Sequence, residues 1–119
     1  LQELGLYQQM AILNNITTST DDDMFSPNTY ALYQNYPNPF NPVTTLQYDL
    51  PENTLVNITV YDMTGKVVRN LVNSQQSTGF KSVRWNASND NGAPASAGVY
   101  LYKIQAGDFI DTKKMILLK

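Results

Sequence analysis

The spacing of apolar and polar residues along the chain predicts short β-strands. From 44 to 50 the apolar residues Leu46, Tyr48 and Leu50 fall at every second position, and the same alternation recurs from 56 to 61. A period of two is that of a strand with one buried and one solvated face. Further runs rich in β-branched and aromatic residues, bounded by turn-forming residues, occur at 30–36, 66–72, 80–85, 98–104 and 108–119. We therefore expect an all-β fold, a single antiparallel β-sandwich of about seven strands.

The most continuous apolar stretch runs from Gly98 to Ile104. Its β-branched and aromatic residues predict a central strand that is covered on both faces. Trp85 ends the preceding strand and shares one face with Val83 by the period of two. We expect the Trp85 ring to lie over Tyr100 in the core.

A turn is predicted where Asp62-Met63-Thr64-Gly65 separates two strands. Asp at the start of a turn and Gly at its end suit a type I turn followed by a left-handed Gly. Asp62 is therefore interpreted as a structural acceptor of backbone N–H bonds rather than a group with a chemical role.

Three prolines occur between Pro37 and Pro42. Because proline fixes φ and removes a donor, this segment is predicted to be a rigid, irregular elbow, with Tyr36 and Phe40 closing one end of the sandwich. A Pro-rich ligand for a partner domain is the alternative interpretation.

The longest turn-rich loop runs from Asn86 to Ala97. Asn86, Ser88 and Asp90 resemble alternating oxygen ligands for calcium, but only one of them is a carboxylate, and the Gly that follows is displaced from the EF-hand position. The favoured interpretation is a loop that satisfies its own backbone through Asx turns.

Residues 1–29 differ from the rest of the chain. Apolar residues in 1–13 have a loosely helical spacing that Gly5 interrupts, which predicts a possible short helix. Residues 14–28 show no periodicity and are predicted to be a linker, in which the acidic run Asp21 to Asp23 is a solvated charge run rather than a cation site. We therefore divide the chain into 1–29, the tail of a preceding domain with a linker, and 30–119, the β-sandwich.

Composition excludes several kinds of chemistry. The chain has 119 residues, 42% of them hydrophobic, and it has neither Cys nor His, so thiolate nucleophiles, disulfides, imidazole bases and the usual zinc ligands are ruled out. We expect no enzymatic activity and no cofactor. The net charge of -2 gives no attraction for nucleic acid, and no apolar run predicts insertion into a membrane. A chain that begins at Leu1 is expected to be the C-terminal piece of a longer precursor.

The last strand combines Lys113, Lys114 and Lys119 with the apolar run from 115 to 118. Lysines on an edge strand discourage unwanted pairing, which is one interpretation. The other is that the edge docks another protein by strand addition.

Five motifs in order along residues 30–119 resemble the type A C-terminal sorting domain of the type IX (Por) secretion system. They also resemble the immunoglobulin-like domain of flagellar hook-capping proteins, so the resemblance implies an immunoglobulin-like sandwich. The motifs are YQNYPNPFNP at 33–42, LQYDLP at 46–51, VYDMTGKVVRNLV at 60–72, the stretch from Trp85 to Ile104 that contains NDNG and AGVYLYKI, and GDFIDTKKMILLK at 107–119.

This resemblance implies a sorting signal that directs an upstream cargo domain of the same precursor across the bacterial outer membrane. Its implied partners are the type IX translocon and the cysteine peptidase of that system, and its implied route runs through the periplasm to the cell surface or medium. Cleavage is expected in the linker between Asn14 and Thr29. The motif positions implied as recognition residues are Pro37, Asn38, Pro39, Asp62, Gly65, Val68, Gly98, Tyr100, Lys113, Lys114, Ile116, Leu118 and Lys119.

A different function class is a retained structural or adhesive module of a cell-surface protein. In that case exposed tyrosines such as Tyr7, Tyr30 or Tyr33 would stack on sugars, although most rings are expected in the core.

Overall fold

The computed structural model of the chain describes residues 26–119, which form two packed antiparallel sheets. One sheet has the strand order β1-β2-β5 and the other β4-β3-β6-β7, so the predicted all-β sandwich of seven strands is confirmed. Within the described residues there is no helix long and apolar enough to cross a membrane. The strands are β1 (Ala31–Leu32), β2 (Thr44–Leu50), β3 (Thr54–Asp62), β4 (Val67–Gln76), β5 (Gly79–Trp85), β6 (Gly98–Ala106) and β7 (Phe109–Leu117).

The N-terminal part of the chain is described only from residue 26 onwards. The possible helix in 1–13 and most of the linker in 14–28 therefore lie outside the described residues. The division between 1–29 and 30–119 stays a prediction.

The core lies between the sheets and follows from the alternation in the sequence. On β2 the side chains of Leu46, Tyr48 and Leu50 are at most 1% exposed, whereas Gln47 between them is exposed. Removing apolar area from water at about 25 cal/mol per Å² is the main favourable contribution to such a fold.

Strand β6 is central, as predicted, because it pairs with β3 on one side and with β7 on the other. The prediction that it is covered on both faces is wrong. Tyr100, Tyr102 and Ile104 are buried in the core, while Val99 and Leu101 are only half-buried on the outer face. Half-buried apolar residues on the outer face make a strand look continuous in sequence, even though only one face packs on another sheet.

An aromatic cluster closes one end of the core. The Trp85 ring lies 5.6 Å from that of Tyr100, edge to face, and 5.8 Å from that of Phe40. The predicted contact of Trp85 with Tyr100 and the burial of Phe40 are confirmed. Tyr36 does not close this end, because its side chain is 80% exposed.

The two ends of the sandwich differ in what they carry. At the first end, here called the Trp85 end, β3, β5 and β7 finish and β2, β4 and β6 begin. At the opposite end, the Tyr30 end, the Tyr30 ring stacks on Phe109 at 5.3 Å and its hydroxyl donates to Glu52 over 2.7 Å. Strand β3 has nine residues and joins the two ends, which are thus about 27 Å apart.

Candidate recognition surface at the Trp85 end

Residues 33–40, here called the closing segment, lie between β2 of one sheet and β7 of the other. The segment exchanges backbone hydrogen bonds with β2 between Tyr36 and Thr45, at 2.9 and 3.0 Å. Against β7, the Phe40 N–H donates to the Ile116 carbonyl and the Leu118 N–H donates to the Phe40 carbonyl. One side of the sandwich is therefore closed by irregular chain that hydrogen-bonds to both sheets.

Asn35 holds the closing segment in place. This side chain is only 2% exposed, and its Nδ2 donates to the Thr44 hydroxyl at 3.0 Å and to the Pro37 carbonyl at 3.1 Å. Its backbone N–H donates to the Tyr102 hydroxyl, which itself donates to the Tyr33 carbonyl. Burial raises the pKa of Tyr102 to about 12.

Sequence reasoning missed Asn35. The available signal was its position inside the YQNYPNPFNP motif, two residues before the first proline. A polar residue in a proline-rich elbow looks solvated until its partners, which come from distant strands, are known.

The Pro-Asn-Pro motif contacts the terminal motif directly. The Asn38 Oδ1 accepts a hydrogen bond from the Ile116 N–H at 3.0 Å, and Gln34 Nε2 donates to the Lys114 carbonyl at 2.7 Å. Together with the two Phe40 bonds, these contacts occupy the outer edge of β7 from Lys114 to the end of the strand. The idea that this edge is free to add another strand therefore applies only to its earlier half.

The turn motif lies beside these residues at the same end. Asp62 Oδ1 accepts bonds from the Thr64 N–H at 2.9 Å, from the Thr64 hydroxyl and from the Lys66 N–H at 3.1 Å. The Thr64 hydroxyl, followed by the Lys66 N–H, holds the pKa of the Asp62 carboxyl below its usual range. Gly65 adopts a φ of +90°, where a side chain is strained, and its N–H donates to the Asp62 carbonyl. These contacts are those expected of a structural Asp.

The loop from Asn86 to Ala97 covers the start of β4. The Asp90 N–H donates to the Val68 carbonyl at 2.9 Å, and Asp90 Oδ1 accepts from the Asn70 N–H at 3.0 Å. The loop also binds its own backbone, because Asn89 Oδ1 accepts from the N–H groups of Asn91 and Ala93. Val68 is thereby joined to the loop motif at Asp90.

The three oxygen-bearing residues considered for calcium have protein partners. Ser88 donates to Asn86 Oδ1 at 2.6 Å, and the Arg69 guanidinium donates to the Ser88 hydroxyl at 3.2 Å. Arg69 also lies 3.9 Å from the Asp90 carboxylate. A guanidinium therefore lies among the atoms that would have to converge on a cation, and electrostatic repulsion disfavours a cation there.

Tyr100 connects the turn, the loop and the terminal strand. It stands opposite Asp62 in the β3–β6 register, and its hydroxyl donates to the Ser96 carbonyl of the loop. Burial, followed by the nearby Asp62 charge, raises the pKa of the Tyr100 hydroxyl. Gly98, two residues earlier, stands opposite Leu117 of β7.

The structure therefore brings most of the sequence-predicted positions together at the Trp85 end. Lys113 and Lys114 are the exceptions, since they stand opposite Tyr102 and Leu101 about half-way along β7. The positions that gather at this end are Pro37, Asn38, Pro39, Asp62, Gly65, Val68, Gly98, Tyr100, Ile116, Leu118 and Lys119.

The surface at this end is irregular and carries exposed apolar side chains. Met63 is 62% exposed, Leu118 51% and Val67 50%, beside the 80% exposed Tyr36. Exposed apolar side chains grouped with polar backbone turns are typical of surfaces that bind other proteins.

Comparison with known proteins places this architecture in a family. The family model of the FlgD Ig-like domain matches residues 42–108. No match was found among curated proteins. The matched residues include five of the seven strands, β2 to β6, but neither the closing segment nor most of the terminal motif.

Solved structures show the same fold. PorU of Porphyromonas gingivalis, in its dimeric latent form, aligns with a TM-score of 0.62 at 18% identity over 89% of this chain. PorZ of the same bacterium, described as an essential surface component of the type IX secretion system, aligns with a TM-score of 0.51 at 18% identity over 77% of this chain. FlgD of P. aeruginosa aligns with a TM-score of 0.51 at 21% identity over 76% of this chain and 74% of its own.

The chain spans only 10% of the PorU chain and 12% of the PorZ chain. The likeness therefore concerns one domain of each of those larger proteins. Together with the family match, it confirms the relation to the FlgD Ig-like domain that the sequence motifs predicted. By its family match and its seven-stranded sandwich, this chain belongs to the FlgD Ig-like domain family.

Proposed function

We propose that residues 30–119 are a C-terminal sorting signal of the type IX secretion system, which directs an upstream cargo through the outer-membrane translocon. The observation that carries the proposal is the convergence of the sorting motifs, which are separated by up to 80 residues in sequence, at one exposed end of the sandwich. Asn38 bound to Ile116 is the clearest case, because it joins the first motif to the last. Packing of the hydrophobic core alone does not explain why exposed residues of motifs far apart in sequence lie together.

The elements outside the family match add support. The closing segment and the last part of β7 carry the Pro-Asn-Pro and terminal motifs, and both lie beyond residues 42–108. The general fold is that of the FlgD Ig-like domain. The closing segment and the last part of β7 complete the surface at the Trp85 end. PorZ, a surface component of the type IX system, has a domain of the same fold.

The orientation of the domain fits the same role. Residues 26–30 reach the sandwich at the Tyr30 end, about 27 Å from the Trp85 end. An upstream cargo would leave the Trp85 end free for the translocon. On this proposal the domain performs no chemistry itself, passes through the periplasm, and is a substrate of the cysteine peptidase of the system.

Export of a reporter tests the proposal. The full chain is fused behind a signal peptide and a fluorescent protein in a bacterium with a working type IX system, and surface and medium fluorescence are measured. The wild-type fusion should be exported, whereas a chain lacking 113–119 should stay in the periplasm. Since that deletion also removes part of a core strand, a second variant is needed.

The second variant changes only exposed side chains at the Trp85 end. We expect Met63→Asp with Leu118→Asp to reduce export, because both side chains are more than half exposed and their replacement leaves the core intact. Leu55→Asp with Ile110→Asp is the matched control, since these residues are 58% and 57% exposed and lie towards the Tyr30 end. Equal export of the two double variants, or normal export of the truncation, would contradict the proposal.

The second candidate is a retained Ig-like module that holds a surface protein to a neighbour or glycan. The exposed aromatic residues Tyr33 and Phe80 on the three-stranded sheet favour it. Detection of residues 30–119 on the mature cell surface would support this candidate over a cleaved signal.

A further inference from the structure

The outer face of the β1-β2-β5 sheet carries two exposed aromatic side chains. Phe80 is 66% exposed and stands directly opposite Asp49 of β2. Tyr33 is 46% exposed, follows β1 on the other side of β2, and its N–H donates to the Gln47 carbonyl. The two residues thus flank β2 at a distance of two strand spacings, about 10 Å.

These two side chains border a shallow depression, here called the aromatic platform. The polar side chains that face the platform come from β2 and β5 and offer a carboxylate, an amide and a hydroxyl. Its lining residues are Tyr33, Gln47, Asp49, Phe80, Lys81 and Ser82.

Asp49 is the unusual member of the platform. It is 8% exposed, although it lies on the outer face of the sheet, and its Oδ2 accepts a hydrogen bond from the Tyr33 hydroxyl. Within residues 26–119, no donor reaches its Oδ1. Buried polar atoms in native proteins nearly always have a partner, and the fold does not provide one for this oxygen. A ligand hydroxyl that donates to Oδ1 would supply that partner.

The charges of the platform indicate what kind of ligand fits. Asp49 supplies the charge on this face, because Lys81 stands opposite the buried Tyr48, on the other face, and its ammonium donates to the Ser77 hydroxyl at 3.1 Å. A carboxylate repels a polyanion. Gln47 adds a donor and an acceptor together, and Ser82 adds a hydroxyl. A neutral ligand with many hydroxyl groups and an apolar face satisfies both the aromatic side chains and the polar groups.

We propose that the aromatic platform binds a neutral oligosaccharide of at least two hexose units. The C–H faces of successive sugar rings stack on Phe80 and Tyr33, whose backbones lie on opposite sides of β2. A sugar hydroxyl between them donates to Asp49 Oδ1, and neighbouring hydroxyls bond the amide of Gln47. The platform lies on a sheet face rather than at the Trp85 end, so this binding does not depend on the proposed sorting function.

Amide NMR spectra of the full chain, titrated with cellohexaose, laminarihexaose, maltohexaose and mannohexaose, test the inference. At least one hexaose should shift the amide signals of Tyr33, Gln47, Asp49 and residues 80–82. Phe80→Ala should weaken the affinity about fivefold through loss of stacking, and Asp49→Asn about tenfold through loss of a charge-assisted bond. Their unshifted amide signals elsewhere will show that both variants fold.

Tyr36→Ala is the matched control, because Tyr36 is an exposed aromatic residue outside the platform, and it should bind as the wild type does. The inference is overturned if no hexaose shifts any signal, if the shifts map to another face, or if Phe80→Ala binds as tightly as the wild type. A response to an arginine-rich peptide without a response to any hexaose would assign the platform to a protein partner and would equally overturn it.

Discussion

At the scale of single residues, the described structure depends on a few polar side chains that connect distant parts of the chain. Asn35 is the clearest case, because its amide joins the closing segment to β2 and its backbone N–H joins it to β6. Asp62 has a local role by comparison, since all three of its carboxylate bonds go to residues within its own turn. Asn35 therefore stabilises contacts between distant parts of the chain, whereas Asp62 stabilises a single turn.

Asn35→Ala should lower the free energy of unfolding by about 1–3 kcal/mol. The substitution removes two donors from a side chain that is 2% exposed and leaves the Pro37 carbonyl and the Thr44 hydroxyl with each other as partners. Urea unfolding of the full chain at neutral pH measures the change.

Asn91→Ala is the control for this prediction. Asn91 lies exposed in the loop, and among the described residues its side chain makes no hydrogen bond. It should change the unfolding free energy by less than about 0.5 kcal/mol. If the two variants unfold at the same urea concentration, Asn35 does not hold the closing segment.

A strand was predictable from sequence to the extent that apolar and polar residues alternate along it. In β2 and β3 the buried apolar residues fall at every second position, so the period identifies both the strand and its inner face. β1 has only two residues, because Tyr33 to Phe40 turns away from regular pairing, and no periodic signal marks that change.

The candidate surface was predictable only in part. The motif residues could be named from the resemblance, but their meeting at one end depends on strand order, which a local pattern does not contain. Tyr36 and Phe40 look alike in sequence, yet one is 80% exposed and the other 2%. The difference arises because Phe40 contacts Trp85 across the two sheets, whereas the Tyr36 backbone pairs with β2 and its ring faces outward.

At the scale of elements, the closing segment gives β7 a protected outer edge. The Ile116 N–H would point to solvent without Asn38, and an open strand edge invites pairing with other chains. This is a structural reason for a polar residue between two prolines, because its side-chain oxygen supplies the acceptor for the Ile116 N–H.

Asn38→Ala should increase amide hydrogen exchange at Ile116 by about three- to tenfold, as expected for the loss of one hydrogen bond. Met115 is an internal control, since its N–H faces β6 in the alternating antiparallel pattern and should exchange as in the wild type. Exchange that rises equally at both positions would indicate fraying of the whole strand rather than loss of the one hydrogen bond to Asn38.

At the scale of the whole molecule, two candidate binding surfaces and the point where the preceding chain joins lie on different parts of the sandwich. The Trp85 end carries the motifs proposed for sorting, the outer face of the three-stranded sheet carries the aromatic platform, and the preceding chain joins at the Tyr30 end. A translocon bound at the Trp85 end would leave the Tyr30 end accessible to a peptidase. Recognition and cleavage could then take place on one molecule without competing for the same residues.

Mass spectrometry of the cargo released from the wild-type fusion should find its new C-terminus between Asn14 and Thr29. A protease binds an extended chain, and cutting within 44–119 would require opening strands whose backbone groups are paired across the sheets. The Met63→Asp, Leu118→Asp variant keeps the same linker and should stay uncut, because it is not delivered to the peptidase. A terminus within 44–119 would contradict this arrangement, and an uncut cargo at the cell surface would favour the retained module.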